Sequence, residues 1–169
     1  MSRSHRSLST LGAPLLAAML LGCAVSSDAA RSAEVAPAVA LDSVNSRIVR
    51  AYHDKDPRAY AALYTDSAQF EWAAIPTVHG RAGMEAMARE LWTPLPDLDL
   101  KLIVATRRIA TEHATEFGAF EESWRDSTGG RTTEYGRYVV LFARAPDDSW
   151  RIDRFFGFSD STGKKPPAR

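Results

Sequence analysis

The side chains able to do chemistry are few and scattered. One cysteine, Cys23, follows Gly22 at the end of an apolar run from Leu11 to Leu21. Its thiol, once ionised, is the best nucleophile the chain offers. The histidines are His5, His53, His79 and His113, and no two stand at metal-ligand spacing. With neither HExxH nor CxxC, no metal is expected; with no phosphate loop or dinucleotide fingerprint, no cofactor is expected. Ser123, Ser149 and Ser159 lack the glycine-flanked turn of a serine nucleophile. His79 precedes Gly80 in a loop. It could move a proton near neutral pH, although a surface loop histidine is the simpler account.

Arg3 and Arg6 precede the apolar run, and a small residue closes it. Those are the marks of a secretory signal. The run falls short of the roughly 20 apolar residues that span a bilayer, and Pro14 would break an ordinary helix there. Leu20-Leu21-Gly22-Cys23 resembles the bacterial lipobox. The resemblance implies cleavage between Gly22 and Cys23 and lipidation of the Cys23 thiol. Acyl chains contribute about 0.8 kcal/mol per buried methylene, so several of them anchor a protein. Residues 1–22 would then be a signal peptide, and the mature chain a protein of the bacterial cell envelope. Because Ala24 is not Asp, the resemblance implies the periplasmic face of the outer membrane if the cell is Gram-negative. A plain signal peptide or an uncleaved anchor remain as alternatives.

Residues 23–40, rich in Ala, Ser and Val, read as a lipidated cysteine and flexible tether. Residues 161–169, with Lys164, Lys165, Pro166 and Pro167, read as a disordered tail. One domain is left, 41–160, long enough for a single core. Lys plus Arg and Asp plus Glu both number 21, for a formal charge of zero. Without a basic stripe, nucleic acid is not an expected partner.

The elements that must position any site follow from periodicity. Leu41, Val44, Ile48, Ala51 and Tyr52 recur at helical spacing. Asp56-Pro57 starts a second, short helix, with Asp56 as cap and Pro57 at the first helical position. Ser67 to Trp72 alternates as a strand, with Ala68, Phe70 and Trp72 on one side. A loop with Pro76 and Gly80 leads to a helix over 81–92 whose buried stripe is Met84, Met87, Ala88 and Leu91. Four strand-like runs follow, at 98–108, 113–125, 132–144 and 150–159, with turns at Gly129-Gly130 and Pro146-Asp147-Asp148. Helices segregated from antiparallel strands read as α+β.

That order resembles the nuclear-transport-factor-2-like superfamily, in its SnoaL-like and ketosteroid-isomerase-like branch. The residues that carry the likeness are Tyr64 to Phe70, His79-Gly80-Arg81, Tyr135 to Phe142, and Trp150-Arg151-Ile152. The resemblance implies three N-terminal helices packed on a strongly curved antiparallel sheet, forming a cone whose mouth takes a small molecule. It also implies a homodimer through the convex sheet. Steroid-isomerising relatives use a carboxylate base and acidic donors, but the matching positions here hold Trp72 and Ile48. Glu71, beside Trp72, alternates to the opposite face.

A three-residue turn at 128–130 would set Phe120 opposite Tyr138 and Glu121 opposite Arg137, an opposite-charge pair. In the next hairpin Tyr138 would face Phe156, and Phe142 would face Ile152. Even-numbered residues then line the concave face, and the expected pocket is Tyr52, Trp72, Phe120, Trp124, Tyr138, Arg154 and Phe156. A slip of one residue would exchange the faces. Arg154 is the exception on an apolar face: it would snorkel to the mouth, pair with a carboxylate such as Glu122 or Glu134, or meet an anionic ligand.

The leading expectation is an envelope lipoprotein that binds a small, largely apolar molecule without known catalysis. The first alternative is a cofactor-free isomerase, dehydratase or hydrolase using His79, Tyr138 and Arg154. The second is a homodimeric scaffold using the convex sheet.

Overall fold

The computed structural model describes residues 27–73 and 75–163. The expected signal peptide, the Gly22–Cys23 junction and residues 164–169 lie outside the described residues. Among the described residues three helices and six strands run in the order α1 (Ser27–Asp54), α2 (Pro57–Ala61), β1 (Tyr64–Trp72), β2 (Ile75–His79), α3 (Gly80–Trp92), β3 (Asp99–Ile109), β4 (His113–Arg125), β5 (Arg131–Arg144) and β6 (Trp150–Thr162). The strands form one sheet in the order β2-β1-β6-β5-β4-β3. Every neighbouring pair is antiparallel except β1 with β6, which run parallel. The expected α+β cone is the observed architecture.

The helical stripe of α1 is the heart of the core. Leu41, Val44, Ile48, Ala51 and Tyr52 are all buried, packed mainly against the sheet and α2. Asp56 caps α2 as its sequence requires: its carboxylate accepts from Arg58 N at 3.1 Å and Ala59 N at 2.9 Å, with Pro57 in the first turn. In α3, Met84, Ala88 and Trp92 are buried.

Four expectations need correction. Much of the supposed flexible tether is helix, since α1 begins at Ser27. Alanine-rich sequence favours helix, and Arg107 fastens the segment through the Ala38 carbonyl at 3.3 Å and the Asp42 carboxylate at 2.6 Å. The supposed tail is strand to Thr162, and Gly163 N donates to Thr133 O at 2.7 Å. The loop around Pro76 is an edge strand, β2, where a proline costs no ladder bond to a further neighbour.

The fourth correction is register. In the β4–β5 hairpin Phe120 faces Gly136 and Glu121 faces Tyr135. The turn is longer than expected because the Asp126 carboxylate gathers Thr128 N, the Thr128 hydroxyl and Gly130 N. The slip is of two residues, so the inward faces of β4 and β5 stand as read. In β5–β6, Phe142 does face Ile152, but a bulge at Asp153 then sets Leu141 opposite Arg154 and Tyr138 opposite Gly157. The bulge reverses the faces of β6 beyond it. Asp153 is held there by Thr65, whose hydroxyl donates to its carboxylate at 3.0 Å.

Candidate active site in the cone

The concave face encloses a cavity of about 660 Å³. Its walls are mostly apolar and aromatic. Ile48 and Tyr52 come from α1, Trp72 from β1, Leu102 from β3, Phe120 from β4 and Phe155 from β6. Inward glycines let the rings lie flat on the sheet. A Cβ at Gly118 would sit 2.4 Å from the Tyr138 ring, one at Gly136 2.2 Å from Phe120, and one at Gly157 2.1 Å from Trp72. Phe70 stacks on Phe155 with centroids 4.7 Å apart, and Trp72 tilts against Phe120 at 5.4 Å.

Two polar systems interrupt this wall. The first lies at the floor. Glu116 on β4 is fully buried. It accepts from Asn45 Nδ2 at 2.8 Å, Tyr138 Oη at 2.7 Å and Arg107 Nε at 2.5 Å. Arg107 also pairs with Asp42 on α1. A buried carboxylate is tolerable when a guanidinium and further donors surround it, and here they tie α1 to three strands. Burial, then Glu116, pushes the Tyr138 hydroxyl well up, so it stays protonated and donates to Glu116.

The second system faces the cavity. Glu122 on β4 and Glu134 on β5 are directly opposite each other, and both line it. Burial first, and the Glu134 charge second, raise the Glu122 carboxyl to about 7, while a hydrogen bond with Tyr52 works the other way. From Tyr52 a row of phenols runs inward. The Tyr52 and Tyr60 rings meet edge to face with centroids 5.7 Å apart, and the Tyr60 and Tyr64 hydroxyls are 2.5 Å apart. Burial raises all three phenols, so they remain neutral donors. A carboxyl that changes charge near neutrality, backed by phenolic donors in an apolar cavity, is equipped to give or take a proton.

Of the residues expected to form the pocket, Tyr52, Trp72, Phe120 and Tyr138 line the cavity, as do Ile48 and Trp72 at the isomerase-matching positions. Trp124 packs on the core margin instead. Arg154 and Phe156 lie beyond the bulge on the other face. Arg154 donates to Ser67 O at 3.3 Å and Asp153 O at 2.8 Å, and pairs with the Asp153 carboxylate at 3.2 Å. It neither meets Glu122 or Glu134 nor reaches a ligand in the cone. His79 is exposed at the start of α3, makes no side-chain cap bond, and is not among the cavity residues. Tyr138 is present, but its proton is committed to Glu116. The sequence offers Glu122 and Glu134 only as partners for Arg154. Their even numbers, shared with Phe120 and Trp124, were the signal that they face inward. Among the described residues no three His, Cys, Asp or Glu are grouped to hold a metal.

Solved structures share this architecture. An NTF2-like protein with a cystatin-like fold from Novosphingobium aromaticivorans is 18% identical, with a TM-score of 0.69 over 79% of this chain and 88% of that one. A candidate scytalone dehydratase from the same organism is 13% identical, with a TM-score of 0.68 over 82% and 94%. A ketosteroid isomerase-like protein from Erwinia carotovora atroseptica is 17% identical, with a TM-score of 0.60 over 73% and 95%. At these identities the likeness is one of fold. A comparison with curated proteins finds no match. The family model for the SnoaL-like domain matches residues 46–152, and the chain therefore belongs to the SnoaL-like family of the nuclear-transport-factor-2-like superfamily.

Proposed function

We propose that this protein is an envelope lipoprotein whose cone binds a small, largely apolar molecule. The observation that carries the binding role is the 660 Å³ apolar cavity with a few convergent polar groups, the usual form of a small-molecule site. The lipid anchor is supported by the basic head, the short apolar run and the lone Cys23. Among the described residues no helix is long and apolar enough to cross a membrane. Native mass spectrometry of the protein purified from its own envelope tests both parts. The expected spectrum shows a diacylglyceryl mass on the chain and a small-molecule adduct that Ala86→Trp removes, because Ala86 is an exposed residue on the cavity wall. An unlipidated chain would overturn the anchor. An adduct kept by Ala86→Trp would overturn the cone as its site.

A second reading is favoured by Glu122: cofactor-free acid–base chemistry on the bound molecule. Here Glu122 would move the proton, and Tyr52, backed by Tyr60 and Tyr64, would donate to developing negative charge. It predicts that Glu122→Gln keeps binding and loses turnover.

The convex face also presents Ile103, Phe117, Leu141 and Phe158, each more than a third exposed. This band supports a homodimer. Sedimentation of Phe117→Asp beside the parent chain tests it, with the variant expected to be the lighter species.

A further inference from the structure

We infer that the molecule held by the cone carries a positive charge, an apolar amine whose ammonium group sits between Glu122 and Glu134. This rests on the cone being a binding cavity and names the chemistry of what it takes. Among the described residues the cavity wall holds three carboxyl groups, Glu90, Glu122 and Glu134, and no lysine, arginine or histidine. Arg107 is spent on Glu116 and Asp42, and Arg154 on Asp153. An anionic ligand would meet carboxyl groups, with no cation on the cavity wall to receive it.

The acidic pair makes a more specific demand. Glu122 and Glu134 are directly opposite on adjacent strands, an arrangement that is destabilising for like charges. No ion pair among the described residues relieves it. The groups facing Glu122 are Tyr52 from α1, Tyr60 from α2, Glu134 from β5 and, across the cavity, Glu90 from α3. From β3 the residue opposite is the apolar Leu100. None of these carries positive charge, so in the empty cone the cheapest relief is a proton on Glu122. A ligand ammonium replaces that proton with two charge-assisted hydrogen bonds. Trp72 and Phe120 line the same cavity, where aromatic rings favour a cation, and the apolar walls take the rest of the molecule.

Calorimetry of the full chain with three matched probes tests this: 2-naphthylmethylamine, 2-naphthylmethanol and 2-naphthoate. At pH 8.5 the amine should bind at least about tenfold more tightly than the alcohol, as one charge-assisted contact implies, and the acid more weakly than either. Lowering the pH to 6 should weaken the amine about tenfold, because the Glu122 proton must then leave. Paired buffers of different ionisation enthalpy should detect close to one proton released at pH 6 and almost none at pH 8.5. In Glu122→Gln/Glu134→Gln the amine and alcohol should bind alike, with retained alcohol binding showing that the cone is intact. Equal binding of amine and alcohol to the parent chain, or a preference for the acid, overturns the inference and leaves the cavity as a neutral or anionic site. Failure of all three probes overturns the binding cavity and the inference together. Proton release is read on the parent chain alone, so its absence at pH 6, with amine bound, overturns the inference even if the double variant does not fold.

Discussion

Glu116 and Glu122 stand on the same inward face of the same strand, yet they have opposite fates. Glu116 is fully buried and fully answered, with Arg107, Asn45 and Tyr138 around it. Glu122 is partly open to the cavity and meets only a phenol and another carboxylate. Complete compensation makes a carboxylate structural. Incomplete compensation leaves it with a charge that can change near neutral pH, which is what a functional group requires. The position of Arg107 decides which is which: its guanidinium comes from the far end of β3, within reach of the floor and of α1.

The largest effect should follow from removing the compensated group. Glu116→Ala leaves Arg107 buried without its main partner and should cost about 3–5 kcal/mol, read by urea unfolding at pH 7. A cost under about 1 kcal/mol would mean that the floor network contributes little.

Glu122 should behave in the opposite sense. Its folded carboxyl is raised from 4.5 to about 7. The stabilising contribution is therefore full below about 4.5, declines as pH rises, and is gone above about 7. Relative to the parent chain, Glu122→Gln should be about 2 kcal/mol more stable at pH 8 than at pH 4, with allowance for the part of the carboxyl open to the cavity. Unfolding curves across that window check it, and parallel pH profiles would sink the assignment.

A smaller change is expected for Glu134→Gln. It removes the second cause of the Glu122 shift and leaves the first, burial, in place. The window of declining stability should move to lower pH with a change under about 1 kcal/mol at pH 7. Smallest of all should be Arg154→Ala. Its ion pair is partly solvated, on the convex side of the sheet, so stability should change by no more than about 0.5 kcal/mol and probe binding not at all.

The sequence made the outer frame legible because periodicity and caps are local. The α1 stripe, the Asp56-Pro57 start and the long strands all follow from residues close in the chain. The faces of β4 and β5 were also legible despite a two-residue slip, since an even shift preserves alternation. The bulge at Asp153 was not. Phe155, Phe156 and Phe158 surround Gly157, so aromatic residues occupy both parities and no period-two pattern reports the reversal. That one extra residue moved Arg154 out of the cone and brought Phe155 in. It also hid the acidic character of the site, because without the bulge Arg154 would stand beside Glu122 and Glu134 as their cation. The edge strand β2 escaped notice for a different reason: it is short and contains Pro76.

The central claim is that the cone is an open binding cavity. Titration of the full chain with N-phenyl-1-naphthylamine, a small apolar dye, followed by dye fluorescence, tests it most directly. Saturable binding at one site per chain is expected, abolished in Ala86→Trp while that variant keeps its fold by circular dichroism. Binding that never saturates, or that is unchanged in folded Ala86→Trp, would contradict it.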